Sequence, residues 1–444
     1  MATSKDILDA QRFNKRRLIS VFTSGTPGGR EIELRSPVGP LVVGVVLTVI
    51  ILVGAWLFGR FSPALPQNWQ TGMLVVDSDS GARYYSIDGT LHPIRNAVSA
   101  QLLAEGPQLP RATVGGSALV GIPRGPEIGI EGAPDGLPAP ERLRNTGWVA
   151  CPAADSGTFV AIGGADPGDT GADGGLVQLG DQSYLVAEGR RYPIAEEDLA
   201  TVRIAFGWES AAVTEVEPAW ADLFDLGSPL TPWSLDGAGA PVNGFLGPLA
   251  GVRTGTMVEV PDGQQIRTYL VVADGTIAPM SPVATQLYLV GGGAKAGNPI
   301  RASLADIAEL TVKTDPVHTG DWPEAIPTMN DPRLVPCAQL SESGGRTSSA
   351  VIQAVAPETA GVVVSGGSGA LVRATSGGDL GALFVVADTG VAFGLGGPEQ
   401  DVVQRLGYLP EQVSNVPAAW IRALPAGPTL STEAAWATVP LPGG

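Results

Sequence analysis

Residues 36–59 carry no charged side chain, and the inner part of this stretch, LVVGVVLTVIILVGAWLFG, is almost wholly apolar. A helix of this length rises roughly 30 Å or slightly more, which matches the hydrocarbon core of a bilayer. A cleavable signal peptide would have a shorter apolar core followed by a small-x-small site, whereas FSPALPQNW follows this core. The sequence therefore predicts an uncleaved, single-pass transmembrane helix at residues 38–59.

Charge predicts the orientation of this span. Residues 1–37 contain seven Lys and Arg against four Asp and Glu, whereas the rest of the chain contains 20 basic and 40 acidic residues. Because basic flanks remain on the cytoplasmic side, we expect residues 1–37 in the cytoplasm and residues 60–444 outside the cytoplasmic membrane. The acidic excess of the large domain argues against nucleic acid or anionic lipid as its partner.

The cytoplasmic arm contains a predicted helix, SKDILDAQRFNKRRLISVF, at residues 4–22. Its apolar residues toward one side are Ile7, Leu8, Leu18 and Phe22. Its basic cluster consists of Arg12, Lys15, Arg16 and Arg17. Such an amphipathic helix could lie on the inner leaflet or dock on the cytosolic surface of a partner, and an ordinary positive-inside flank is the alternative.

The extracytoplasmic part is long enough for two or more globular units. The whole chain has 60 Gly and 38 Pro, yet 44% of its residues are hydrophobic and they are spread throughout. This composition predicts many short strands and turns around proper cores. We expect a mainly β (α+β) ectodomain.

Four stretches share one pattern: an aromatic strand, an acidic turn, a second strand that often ends in proline, and a short helix stopped by glycine. They occupy residues of about 72–110, 178–212, 262–294 and 378–412. From turn acid to helix-ending glycine (Gly106, Gly207, Gly291 and Gly407), the four spans differ by only two residues in length. Units this small cannot stand alone, so we expect four strand-turn-strand-helix repeats packed around a central β-rich domain formed by the intervening segments.

The turns of these repeats have a simple physical basis. The predicted turn residues are Asp88, Gly89, Glu188, Gly189, Asp274, Gly275 and Asp388. Hairpin turns require positive φ, which glycine adopts without a steric penalty. Ser281 and Pro282 predict the start of the third helix, as an N-cap and a first helical residue.

The chain has two cysteines, Cys151 and Cys337, and both belong to the predicted exported part. In an oxidising compartment we expect them to form one disulfide, which would join distant segments of the chain. The alternative, a reactive thiol or metal pair, has no histidine cluster to support it.

Residue patterns for catalysis are absent from the sequence. His92 and His318 are far apart, no Walker A or Gly-x-Ser-x-Gly motif occurs, and the acidic loop with Asp166, Asp169 and Asp173 lacks EF-hand spacing. We therefore predict no catalytic residue, cofactor or metal site.

Besides a purely structural role, two functions remain open for this chain. One is a cell-envelope-binding module that presents Tyr84, Tyr184 and Tyr269, although packing beneath the turns is the simpler role for these side chains. The other is a nucleotide hydrolase.

Several segments together resemble one family. They are QRFNKRRLISVF and GREIELRSP before the span, GARYYSIDGTLHPIRNAVSAQLL, RGPEIGIEGAPDGLPAP, WVAC, and LGYLPEQVSNVPAAWIRALPAGPTLSTEAA near the end. Across nearly the whole chain they are similar to EccB, the single-pass membrane component of the type VII (ESX) secretion system of actinobacteria.

The resemblance implies a structural core subunit of a secretion complex. In that family the exported domain is elongated, with four repeats about a central β domain and one disulfide, here at Cys151 and Cys337. The implied partners are the motor ATPase EccC, the multi-span subunit EccD and EccE, together with self-association. The family is sometimes labelled an ATPase, but the sequence supplies no Walker A motif for that activity.

Overall fold

The computed structural model describes residues 4–24, 38–60, 64–164, 173–317, 321–329, 332–343, 346–378 and 380–438. The chain divides into two compact units, Met1–Ala64 and Leu65–Gly444. The second unit is a mixed α/β structure with several small sheets.

The described residues of the first unit form two helices, α1 (Ser4–Ser24) and α2 (Val38–Arg60). Over the described residues, no helix combines the length and the apolar character that crossing a membrane requires. The predicted span at residues 38–59 also includes the side chains of residues 55–59, and these, like residues 36–37 of the uncharged stretch, lie outside the described part.

The second unit begins with the elements of a first sheet, which are β1 (Leu74–Asp77), β2 (Arg83–Ile87), β3 (Thr90–Pro93), α3 (Ala97–Leu103) and β4 (Arg111–Val114). Two strands of a central sheet follow, β5 (Val149–Pro152) and β6 (Thr158–Ile162). The next elements are β7 (Gly174–Leu179), β8 (Gln182–Ala187), β9 (Arg190–Ile194), α4 (Glu196–Phe206), β10 (Val213–Glu215), α5 (Pro218–Ala221) and β11 (Asp225–Leu226).

The following group comprises β12 (Met257–Asp262), β13 (Gln265–Val271), β14 (Ile277–Met280), α6 (Pro282–Gly291), β15 (Ile300–Arg301) and α7 (Leu304–Ile307). The chain then returns to the central sheet with β16 (Val335–Ser343), β17 (Arg346–Ala354) and β18 (Gly361–Val364). The last elements are β19 (Ala370–Thr375), β20 (Gly381–Val386), β21 (Ala392–Gly394), α8 (Glu399–Arg405), β22 (Ser414–Pro417), α9 (Ala418–Arg422) and α10 (Thr432–Ala435).

The described strands form five sheets. In spatial order they are sheet I (β3-β2-β1-β4), sheet II (β10-β7-β8-β9-β11), sheet III (β14-β13-β12-β15), sheet IV (β21-β20-β19-β22) and the central sheet (β17-β16-β5-β6-β18). Sheets I to IV have the same connectivity. Three antiparallel strands lead into a helix, and the next strand pairs in parallel with the first. The helix provides the crossover that a parallel partner needs.

A further segment of each of these four sheets pairs in parallel with the third strand. In sheet II this segment is β11, and in the other three it forms isolated bridges, Leu91 with Arg124, Ile277 with Val312 and Ala392 with Ala426. Sheets I to IV therefore correspond strand for strand.

Local sequence sets the ends of several helices. The Ser281 side chain accepts a hydrogen bond from the Ala284 amide at the start of α6, and Gly207 ends α4 with φ of 73°. The predicted stop of the first helix at Gly106 is wrong, because α3 ends at Leu103. There the Arg405 guanidinium from α8 binds the Ala104 carbonyl, so a tertiary contact satisfies the helix end.

Three apolar cores show which sheets pack together. One includes Trp148 of the segment before β5 and side chains of the central sheet, sheet II and sheet IV. A second joins sheet I to sheet IV through α3 and α8, and its buried side chains include Leu102 and Val403. A third joins sheet II to sheet III through α4 and α6, for example Val202 and Leu287. The packing order is thus I, IV, centre, II, III.

Candidate interaction sites

Candidate metal ligands do not cluster in the described part of the chain. Within these ranges no group of three or more His, Cys, Asp or Glu side chains could hold a metal ion. The His92 Nδ1 atom lies 3.0 Å from the Pro126 carbonyl oxygen, and its ring packs against Gly125, where any Cβ would clash with it. His92 therefore has a structural role. His318 lies outside the described residues.

In the acidic loop, the one described aspartate of the three considered also has a structural contact. Asp173 accepts a hydrogen bond from the Thr328 amide at 2.6 Å, which fixes a surface segment next to β7. Asp166 and Asp169 lie outside the described residues.

The three tyrosines considered for envelope binding are packed against the protein. Tyr269 is buried in the core of sheet III, and Tyr184 packs against the core shared by the central sheet. Tyr84 is half-buried, and the Arg124 guanidinium lies 4.3 Å from its ring centre. Such an arrangement leaves little aromatic face for a sugar to stack on.

The acidic turns fall into two geometries. In sheets I and II, the turns are two-residue hairpins in which both residues have positive φ: 46° and 76° at Asp88 and Gly89, and 48° and 76° at Glu188 and Gly189. Positive φ at both central positions is the type I′ conformation, which matches the twist of the flanking strands.

In sheets III and IV the turns are one residue longer, and only glycine has positive φ, at Gly275 (79°) and Gly390 (79°). Asp274 directly precedes its glycine, whereas Asp388 lies two residues before Gly390. The acidic residues of the four turns are therefore not all equivalent in position, which spacing alone did not reveal.

Asp274 is the turn acid with the most contacts. Its carboxylate accepts hydrogen bonds from the amide and hydroxyl of Thr276 and forms an ion pair with Lys313 at 3.0 Å. These contacts, with the Thr276 hydroxyl contributing most, lower the pKa of Asp274 to about 2.

Cys151 and Cys337 form a disulfide within the central sheet, with Cα atoms 4.3 Å apart. The cysteines face each other across β5 and β16, next to the Ala150–Ala338 pair. Both are buried. Residues 152–336 contain every described strand of sheets II and III. The disulfide therefore closes a loop of the chain that contains both sheets.

Two short helices with related sequences attach sheets II and IV to the central sheet. The segments are VEPAW, ending at Trp220 before β11, and VPAAW, ending at Trp420 in α9. Both tryptophans have no exposed surface. The Trp220 Nε1 atom donates to the Ala150 carbonyl at 2.9 Å, and the Trp420 ring makes an edge contact with Trp148 at 6.1 Å.

Ser349 on β17 joins these two attachments, and we call this group the Ser349 junction. The Trp420 Nε1 atom donates to the Ser349 hydroxyl oxygen at 3.1 Å, and that hydroxyl donates to the Leu223 carbonyl at 2.5 Å. Leu223 lies three residues after Trp220. One buried hydroxyl thus connects the sheet II and sheet IV sides of the centre. Sequence reasoning missed this site, although the related segments VEPAW and VPAAW were visible in the sequence.

Equivalent grooves follow the helices of sheets IV and II. Tyr408 lies just after Gly407, and its hydroxyl donates to the Pro138 carbonyl at 2.7 Å. Trp208 lies just after Gly207, and its Nε1 atom donates to the Pro327 carbonyl at 3.2 Å. The cavities beside them have volumes of 420 Å³ and 290 Å³. Both aromatic residues hold a proline-containing linker that leads back toward the central sheet.

Helix α1 contains the predicted arm residues. Its described side chains are all exposed, including the basic cluster of Arg12, Lys15, Arg16 and Arg17. Arg12 also forms a weak ion pair with Asp9 at 4.0 Å.

Apolar side chains that are more than half exposed occur on all five sheets or in the segments beside them: Val120, Ile204, Leu226, Leu246, Ile266, Leu304, Val355, Val363, Leu380 and Leu409. Scattered residues of this kind are normal on protein surfaces and do not by themselves mark an interface.

Comparison with known families gives a match over almost the entire chain. The family model described as "Type VII secretion system ESX-1, transport TM domain B", EccB, matches residues 1–440.

Curated relatives are similar at about one residue in four. The ESX-3 secretion system ATPase EccB3 of Mycobacterium tuberculosis is 27% identical over 459 residues, which cover 90% of this chain and 82% of that protein. EccB3 of Mycolicibacterium smegmatis is 27% identical, with coverage of 95% and 88%. The alignment with the ESX-5 secretion system ATPase EccB5 of M. tuberculosis is shorter: it is 26% identical and spans 61% of this chain and 56% of that relative.

Solved structures share the fold. A chain of an intact ESX-5 inner membrane complex has a TM-score of 0.65 at 24% identity, with coverage of 100% of this chain and 97% of that chain. A chain of the EccB3 dimer from the ESX-3 core complex has a TM-score of 0.64 at 25% identity, with coverage of 82% and 100%.

Proposed function

Because this chain belongs to the EccB family of the type VII secretion system, we propose that it is a structural core subunit of a type VII (ESX) secretion complex in the cytoplasmic membrane. The observation that carries the proposal is the family match over residues 1–440, which includes the arm, the apolar segment and the ectodomain. The fold agrees with this role, because the described residues form docked sheets around buried aromatic junctions.

The proposed topology has one membrane span. Residues 38–59 cross the membrane, residues 1–37 lie in the cytoplasm, and residues 60–444 form the extracytoplasmic domain. The uncharged stretch of residues 36–59 and the basic excess of residues 1–37 support this topology. Cysteine labelling of residues on each side of the span in intact cells measures it directly.

The four sheets I to IV are, in this proposal, four repeats around the central sheet. Their common strand order, their parallel fourth strands and their bridges beside the third strand support the repeat interpretation. The disulfide and the Ser349 junction hold the repeats on the centre, which gives the ectodomain the defined geometry that an assembly subunit needs.

The proposed partners are the other membrane subunits of the system, the motor ATPase EccC, EccD and EccE, and a second copy of this chain. Self-association is supported by the similarity to an EccB3 dimer. The ectodomain would then organise or oligomerise the periplasmic face of the complex.

Affinity purification of the tagged full-length chain from gently solubilised native membranes tests this function. We expect recovery in a large complex that contains a P-loop motor and a multi-span protein, identified by mass spectrometry. A monomer recovered without partners in several detergents would overturn the assignment.

ATP hydrolysis is a second candidate, because the similar EccB3 proteins are named ESX-3 secretion system ATPases. No Walker A motif occurs in this sequence, which weighs against it. Steady ATP turnover by the purified chain, above that of a heat-denatured control and free of co-purifying ATPases, would establish hydrolysis. Turnover equal to that of the control would exclude ATP hydrolysis by this chain.

A further inference from the structure

Helix α1 exposes more apolar surface than a solvated helix normally does. Its large apolar side chains are exposed by 42% to 84%, and they are Ile7, Leu8, Phe13, Leu18, Ile19, Val21 and Phe22. A helix on the surface of a globular protein buries its apolar stripe against a core. These side chains therefore need a cover from outside the chain's own core.

Five of the seven large apolar side chains of α1 are gathered on one side, whereas Phe13 lies on the opposite side and Val21 about 40° beyond the Ile7 edge. At about 100° per residue, Ile7, Leu18, Phe22, Leu8 and Ile19 fall in that angular order within an arc of roughly 120°. Such an arc is as wide as the buried face of an interfacial helix.

Basic side chains lie beside this apolar arc mainly at its Ile19 edge. By the same rotation, Arg12 and Arg16 follow that edge by about 20° and 60°, while Arg17 lies about 80° before the Ile7 edge, on the polar side of the helix. Lys15 lies within the arc, and its long stem can reach past the apolar surface. The helix contains five basic and two acidic residues, so its net charge is +3.

Length of chain keeps α1 close to the proposed span. Residues 25–37 connect the two helices, and 13 residues can extend over at most about 45 Å. The inference thus rests on the proposed function, since the anchor at residues 38–59 is what holds the arm beside the cytoplasmic leaflet.

We propose that α1 lies on the anionic cytoplasmic surface of the membrane. Its apolar arc enters the boundary between headgroups and acyl chains, and Arg12, Arg16 and the long stem of Lys15 bring cations to the lipid phosphates beside it. Cations next to a buried apolar arc, on a helix with a net charge of +3, fit an anionic membrane surface, because the headgroups lie beside the buried stripe.

Depth measurements on the full-length chain test this proposal. The native cysteines are joined in a buried disulfide, so a Leu18→Cys variant can be labelled selectively with an environment-sensitive fluorophore. Asp9→Cys, on the opposite side of α1, is the matched control. Both are reconstituted in vesicles of phosphatidylcholine alone or with phosphatidylglycerol, and brominated lipids report the depth of the label.

We expect quenching of the Leu18 label at least several-fold above that of the Asp9 label, in phosphatidylglycerol vesicles only. Changing all four residues of the basic cluster to Gln should abolish the difference, since each cation lost weakens binding about fivefold at low ionic strength. Equal quenching at the two positions would overturn the proposal. So would equal depth in both lipids, or protection of Leu18 that appears only when another secretion subunit is added.

Flotation of the vesicles after carbonate extraction separates this inference from the function on which it depends. Chains that float but keep Leu18 exposed refute the lipid contact alone. Chains that fail to float in either lipid refute the anchor.

Discussion

The Ser349 junction gives the sharpest test of how the ectodomain is held together. Ser349→Ala removes the donor to the Leu223 carbonyl and the acceptor for the Trp420 Nε1 atom, which lie 2.5 Å and 3.1 Å from the hydroxyl. Ser349 is 4% exposed and Trp420 has no exposed surface, so water cannot easily replace either bond.

The expected cost follows from the two groups left without partners. A buried donor or acceptor without a partner costs about 1–3 kcal/mol of stability. Part of this cost is offset, because the variant no longer has to bury the polar hydroxyl of Ser349. We therefore expect Ser349→Ala to lower the free energy of unfolding by about 2–4 kcal/mol. In a double-mutant cycle with Trp420→Phe, the two changes should be non-additive by about 1 kcal/mol, because both break the same bond.

Urea unfolding of the full chain in detergent, followed by far-ultraviolet circular dichroism, measures this effect. Ser348→Ala is the matched control, since Ser348 is an exposed neighbour on the same strand and should change stability by less than about 0.5 kcal/mol. If Ser349→Ala costs no more than Ser348→Ala, the hydroxyl does not join the two sides of the centre, and the reasoning fails.

Three other perturbations probe separate parts of the ectodomain. Changing both Cys151 and Cys337 to Ala should lower the free energy of unfolding by about 2–5 kcal/mol, because the disulfide closes a loop of 186 residues. Equal urea midpoints for the variant and the oxidised wild type would contradict this expectation. Asp274→Asn should lower the melting temperature at pH 6, but this difference should shrink as pH falls from about 4 through about 2. The carboxylate of Asp274 stabilises the fold fully above its ordinary pKa of 3.8 and loses this effect through its folded pKa of about 2. A constant difference would therefore exclude the contacts of the carboxylate with Thr276 and Lys313 as the cause. Tyr408→Phe should cost about 1–2 kcal/mol in urea unfolding, since the buried linker carbonyl loses its donor, and an unchanged midpoint would show that this bond is not needed.

Local features of this chain were readable from sequence because neighbouring residues decide them. Gly207 ends a helix in the left-handed conformation, and Ser281 with Pro282 begins one. Sequence likewise identified the acidic hairpin turns and the family, since these depend on short segments. The first helix shows the limit of such reasoning: Gly106 was expected to stop it, but α3 ends at Leu103, where Arg405 binds the Ala104 carbonyl.

What the sequence by itself determined is thus the set of local units: an uncharged apolar segment, a basic arm, acidic turns, glycine-stopped helices and a single pair of cysteines. Tertiary structure alone decided how these units combine, namely sheet I on sheet IV, sheet II on sheet III, and both pairs on the central sheet. The physical reason is sequence distance. Ser349 joins Leu223 and Trp420, which lie 126 and 71 residues away, and burial of apolar surface selects such partners without leaving a periodic signal in the chain.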